Sequence, residues 1–342
     1  MTLHLKEIQM KKLPITFIID DSTPFVMTPY TNREPKFTAD GRPLIRFSPL
    51  QMVYDFADII DRQKMKGKFS VIPMAGNEGD IFNGFRDVDQ AGIDEWLDCA
   101  RRRIAPTFSI CPEMLTHYKA VDLATGGALP EREDVWASTQ DRTTLTPYIT
   151  RALEMIKQAG FDCHGVTSPW YFAKEVEDEY TAALSKAMFD VYGYKSAYYF
   201  LHQLRGVPGV KPWISYEDGD RCTVAIPGVT RDWFWETMDS TDTSDEYVSH
   251  VADHYITADG KAGCIIKEID ELGAYPILCT HWQSLCSNGL MTGLRAFEEV
   301  GRRINEHLSD RVEWYSFDEL LAHIVANKES YRERPVSMEK VD

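Results

Sequence analysis

Short apolar runs alternate with amphipathic stretches along almost the whole 342-residue chain, and this alternation limits the fold more than any other feature. Residues 15–21 (ITFIIDD) form an apolar run that ends in two carboxylates. Such runs suit strands covered on both faces, as in parallel sheets. Further strand-like runs occupy 67–74, 104–110, 161–168, 197–202, 222–227, 275–282 and 312–317. Between them lie helical patterns. Ser48-Pro49 offers a capping hydroxyl before a proline, and Leu50, Val53, Phe56, Ala57 and Ile60 supply an apolar stripe. Residues 89–101, 146–160, 175–190, 244–255, 265–272, 290–308 and 316–327 follow suit. Eight strands alternating with helices predict an α/β fold, a distorted (β/α) barrel of seven or eight mostly parallel strands. An open, doubly wound sheet calls for a glycine-rich phosphate loop after the first strand. Asp20-Asp21-Ser22-Thr23-Pro24 stands there instead.

No Pro-, Gly- or Ser-rich linker and no internal repeat divides the chain. The expectation is one domain over residues 1–342, with its core at about 15–325 and a charged tail from 330 to 342. A polar excursion at 111–141 is long enough to carry structure or function of its own. Lys and Arg number 37 against 53 Asp and Glu, a net charge of −16. That balance, with Arg101-Arg102-Arg103 as the densest basic run, argues against a nucleic-acid partner. No stretch approaches the ~20 apolar residues of a membrane span, so no membrane partner is expected either. Residues 1–12 lack an apolar signal core, which makes a cytoplasmic location the expectation unless a leader has been trimmed. Seven dispersed cysteines without a C-x-x-C read as reduced, buried thiols.

Chemistry in a parallel barrel sits at the carboxyl ends of the strands. Those ends offer Asp20 and Asp21, then Asn77 and Glu78, then Glu113 and His117, then His164 with Ser168-Pro169-Trp170, and finally Thr280, His281 and Trp282. Two adjacent carboxylates repel unless a cation or a proton separates them, so one can hold a metal while the other takes a proton. Glu113 and His117, four residues apart, share one face of a helical turn, which suits two ligands of one ion. His250 and His254 repeat that spacing inside an acidic segment and form a rival metal site, although an exposed helix face explains them too. His281 has the chemistry of a general acid. Trp170 and Trp282, placed at strand ends, are candidate sugar-stacking platforms, with Glu78 a further substrate-binding candidate. No G-x-S-x-G and no H-E-x-x-H appears.

In this order the motifs resemble those of the polysaccharide deacetylases, carbohydrate esterases on a distorted (β/α) barrel whose superfamily also holds glycoside hydrolases. Ile18-Ile19-Asp20-Asp21-Ser22 is similar to that family's T-F-D-D-G, and 67–73 (GKFSVIP) to its K-A-T-F-F-V strand. Glu113-Met114-Leu115-Thr116-His117 aligns with H-[ST]-x-x-H by its last member. Thr167-Ser168-Pro169-Trp170-Tyr171 echoes R-x-P-[FY]-G, and Leu278-Cys279-Thr280-His281 resembles the closing Leu-x-His. The resemblance covers about 15–325. It implies Asp20 as catalytic base, Asp21 and His117 as metal ligands, and His281 as the acid that protonates the leaving group. Glu113 stands where the family has its first metal histidine, the third motif lacks the arginine that positions the base, and Ser22 replaces a glycine.

The expected function is therefore a metal-dependent hydrolase that removes an N- or O-acetyl group from a carbohydrate. The expected cofactor is zinc, or manganese or magnesium given the oxygen-rich donors, or no metal at all. The alternatives are a glycoside hydrolase with paired carboxylates and a non-catalytic carbohydrate-binding barrel. A carbohydrate or another small molecule is the expected partner, with self-association into a homo-oligomer left open.

Overall fold

The computed structural model describes residues 12–27 and 36–335. The expectations for the N-terminal segment and for the far end of the charged tail fall outside these residues. The strands that build the core are β1 (Leu13–Asp20), β2 (Gly67–Val71), β3 (Phe108–Pro112), β4 (Gly165–Thr167), β5 (Ser196–Phe200), β6 (Arg221–Ala225), β7 (Ile277–His281) and β8 (Val312–Trp314). β7, β1, β2 and β3 lie side by side in that order, all parallel, and β8 pairs with the start of β1. A second sheet runs β6-β5-β4, also parallel, with an antiparallel strand at Trp213–Asp218 on its outer edge. β3 packs beside β4, although no ladder of hydrogen bonds joins them. The fold is thus mixed α/β with parallel sheets.

Alternation along each strand separates two faces. Phe17, Phe69 and their neighbours face the helices: Phe17 meets Phe297 edge-on at 4.8 Å, and Phe56 of the Gln51–Gln63 helix lies 5.5 Å from Phe69. The opposite face is polar for a buried surface. Registers Ile18↔Lys68, Ser70↔Cys111, Thr167↔Phe200 and Asp20↔His281 place these side chains in one interior row. Lys68, Ser70 and Thr167 are fully buried.

Several boundaries differ from the sequence reading, each for a local reason. The third strand starts at Phe108, not at 104, because the Gln90–Cys99 helix continues through a wider turn, Ala100–Ile104, that contains the arginine run. Glu113 therefore follows its strand directly. β4 begins at Gly165, so His164 lies at its amino end. Ser48 does not cap the first helix; its hydroxyl bonds Phe25 O instead, and the turn starts through Pro49 and Leu50 carbonyls. The long helix from Arg142 to Gln158 begins a turn earlier than expected, capped by Asp141, and takes Pro147 in its second turn. The 111–141 excursion holds a hairpin, Lys119–Val121 with Ala128–Arg132, and a short helix, Glu133–Ala137.

Candidate active site

β1 leaves the sheet at Asp21, whose backbone turns left-handed with φ +60°. That turn swings two consecutive carboxylates, which alternation would send to opposite faces, toward a single cleft. The cleft has a volume of about 200 Å³, and its walls include Asp20, Asp21, Glu113, His117, Trp170 and His281.

Asp20 accepts a hydrogen bond from Lys68, which also donates to Thr167 and sits 5.3 Å from the Phe200 ring centre. Burial pushes the Asp20 carboxyl up to about 6, although Lys68 pulls the other way. Lys68 is itself held above the usual ammonium value: burial opposes its charge, but Asp20, together with Cys111 and Glu113, outweighs burial. Sequence reasoning missed Lys68 as a site residue. Its signal was a lone cation within a buried strand. It sets a positive charge beside Asp20.

Asp21, Glu113 and His117 converge. His117 Nε2 lies 2.9 Å from Asp21 Oδ1 and 3.3 Å from Glu113 Oε1. Glu113 Oε2 accepts from the Asp21 amide at 2.7 Å and from Ser70 Oγ at 2.6 Å, which leaves Oε1 facing the imidazole. Burial disfavours charge on both Asp21 and His117, yet their mutual attraction prevails: Asp21 is held below the usual carboxylate range, and His117 well above the usual imidazole value.

These residues meet for a reason the sequence reading did not anticipate. Residues 113–117 are not a helical turn; Met114 and His117 have φ of +44° and +51°. The loop is held by Glu133, which is fully buried and accepts from the amides of Leu115, Thr116 and His117 at 2.9, 3.1 and 2.9 Å and from Tyr148 OH at 2.7 Å. Trp170 covers His117 edge-on at 4.4 Å, with the Arg132 guanidinium 4.3 Å from the indole centre.

His281 stands beside Asp20 in register. Its Nδ1 lies 2.8 Å from Asp232 Oδ2, and its backbone N–H donates to the same oxygen at 3.1 Å. Burial disfavours the imidazolium, but Asp232, aided by Asp21 and Asp20, pushes His281 up to about 9. Asp232 went unnoticed in the sequence because nothing local links it to a strand 49 residues away. Trp235, from the same segment, presents its ring to His281 at 5.5 Å.

Three candidates lie elsewhere. Trp282 is almost fully buried on the helix-facing side, against Phe56, Phe69 and Trp96, because it starts a helix just after β7. Glu78 pairs with Arg86 at 2.8 Å and does not line the cleft. His164, at the amino end of β4, stacks on Tyr194 at 4.3 Å and lies 3.5 Å from Asp318.

The donor atoms of Asp21, Glu113 and His117 all lie within 4.8 Å of one another. One imidazole and two carboxylates fit a divalent ion of the zinc, manganese or magnesium kind, with room for further ligands. Among the described residues, no helix is long and apolar enough to cross a membrane.

No family model matches the chain, and no curated protein matches it. Among solved structures it is similar to a candidate polysaccharide deacetylase from Mycobacterium smegmatis, at 15% identity and a TM-score of 0.49, over 85% of this chain and 82% of the other. It is also similar to a 4-alpha-glucanotransferase from Thermococcus litoralis, at 13% identity and a TM-score of 0.43, over 90% of this chain and 40% of the other. A lactam utilization protein from Thermus thermophilus resembles it at 12% identity and a TM-score of 0.40, over 90% of this chain and all of the other. Each likeness is remote.

Proposed function

We propose that the chain is a hydrolase on an open, distorted (β/α) barrel that removes an acyl group from a carbohydrate with the help of a divalent metal. The observation that carries this reading is the convergence of Asp20, Asp21, Glu113, His117 and His281, from three strand ends, on one cleft. Asp21, Glu113 and His117 would hold the ion. When bound, a divalent ion there would supply polarisation of the acyl carbonyl and make a neighbouring water more acidic.

The chain's own groups then divide the proton work. Asp20, with a pKa of about 6, is ionised at neutral pH and accepts the proton of the attacking water. Lys68 keeps that carboxylate charged in a buried place where it would otherwise take a proton. His281, at about 9, is protonated at neutral pH. Asp232 engages its Nδ1, which leaves Nε2 to donate to the departing nitrogen or oxygen. Trp170 and Phe200 give the cleft apolar walls and Gln203 a polar one, a mixture suited to a sugar ring. The cleft is smaller than the roughly 300–1,000 Å³ of drug-sized sites, which favours one sugar unit over a long polymer segment inside it.

Metal content by plasma emission, together with acetate release from acetylated sugars, tests this reading. The expected result is an ion that is lost in His117→Ala, chelator-sensitive acetate release, and an Asp20→Asn variant that keeps that ion and loses turnover. Absence of bound metal from both purified and metal-soaked protein overturns it. Chelator-insensitive cleavage of a nitrophenyl glycoside would favour a glycosidase with paired carboxylates instead.

A further inference from the structure

A second cluster of metal-ligating side chains lies outside the cleft. Glu236 comes from the Trp233–Asp239 segment, His250 from the Asp245–Asp253 helix, and His254 from that helix's C-cap. Their donor atoms all lie within 4.8 Å of one another. His254 Nε2 and Glu236 Oε2 are already 3.2 Å apart, and the two imidazole centres are 5.2 Å apart. Tetrahedral zinc, with ligands at about 2.0–2.2 Å, sets its donors about 3.4 Å apart, so only a small swing of the exposed His250 is needed.

Two further observations point the same way. His254 is fixed in its rotamer by stacking on Trp233, 4.4 Å away at 11°, and the Arg231 guanidinium lies 4.9 Å from the centre of that Trp233 ring. Glu236 Oε1 is shielded from solvent yet makes no hydrogen bond among the described residues, and His254 Nε2 faces Glu236 Oε2 at 3.2 Å without hydrogen-bond geometry. Ordinary packing leaves few such atoms unpaired. A helix that carries two histidines four residues apart presents both on one face, and two imidazoles with one carboxylate select zinc or copper(II) over magnesium or calcium.

The geometry points to a second metal site, at Glu236, His250 and His254, that binds zinc and ties the Trp233–Asp239 segment to the Asp245–Asp253 helix. The segment matters because Asp232 immediately precedes it and Trp235 lies within it, and both touch His281. The site is independent of the proposed hydrolase reading.

The test is a zinc titration of chelator-treated, dialysed full-length protein against a chromophoric competitor, for wild type, His250→Ala, His117→Ala and the double variant. Two zinc ions are expected in wild type, one in each single variant and none in the double. His250 is exposed, so its replacement leaves the fold intact, and the wild-type against His250→Ala comparison stands even if His117→Ala fails to fold. A single ion that survives His117→Ala and is lost, or bound at least tenfold more weakly, in His250→Ala supports this site while refuting metal binding in the cleft. Zinc binding unchanged in number and affinity by His250→Ala overturns the inference, as does a folded His117→Ala protein that binds none.

Discussion

Replacing Lys68 by methionine isolates the effect of one buried charge on Asp20. The side chain is fully buried, and its ammonium pairs with a carboxylate whose pKa stands at about 6. An opposite charge in contact lowers a carboxyl pKa by roughly 1–3 units, so removing it should lift Asp20 to about 7–9. With a midpoint of about 8, the ionised fraction at pH 6.5 falls roughly 25-fold, and the acidic limb of the pH–rate profile for acetate release moves up by about 2 units. Stability provides an independent measure. A carboxyl whose folded pKa lies above its unfolded value favours the native state at low pH, and that contribution is lost as pH rises through the folded pKa. At pH 5 Asp20 is neutral in both proteins, and the variant is spared the burial of a lone cation. By pH 8.5 the variant should have lost about 2–3 kcal/mol more than wild type, at about 1.36 kcal/mol for each unit of added shift. Urea denaturation of chelator-treated protein at the two pH values measures this. An acidic limb that stays near 6, or a stability difference equal at both pH values, refutes the reasoning.

Two more predictions concern neighbouring polar clusters. Asp232→Asn removes the main group that raises His281 to about 9, so the alkaline limb of the rate profile should move down by about 1–2 units, read between pH 7 and 10. Glu177 is held at about 2: burial opposes its charge, but His202 Nε2 at 2.7 Å, Tyr199 OH at 2.6 Å and Arg334 at 2.7 Å prevail. Its folded pKa is depressed from 4.5, so it stabilises above that pH by about 3 kcal/mol, and this is lost as pH falls toward about 2. Acid-denaturation curves of wild type and Glu177→Gln should differ at pH 6 and converge near pH 2.

Much of the site was legible because strand ends carry it. An apolar run ending in Asp20-Asp21, and another ending in His281, mark the same edge of a parallel sheet, and the register Asp20↔His281 makes them neighbours. Glu113 and His117 were legible as a pair for a mistaken reason. Their spacing suggested a helix, whereas three amides bonded to Glu133 hold them in a loop. Lys68, Asp232 and Glu133 act through contacts 48, 49 and 16–18 residues away in sequence, and no local pattern encodes such contacts. Trp282 misled by position: one residue past a strand end, the chain has turned into a helix and the indole joins the core. The same sensitivity to one or two residues moved His164 to the wrong end of β4.

The left-handed backbone at Asp21, His117 and Trp170 sets stability against function around the cleft. Residues other than glycine are strained in that region, each by about 1–2 kcal/mol. Relief of that backbone strain alone would favour glycine at these three positions, with asparagine tolerated in place of Asp21. Each of these changes would remove a candidate ligand or a wall of the cleft. Variants of this protein that gain heat resistance at those positions should therefore lose whatever the cleft does, and stabilising it without that cost means working on the far side of the sheet, where Phe17, Phe69 and Trp282 pack under the helices.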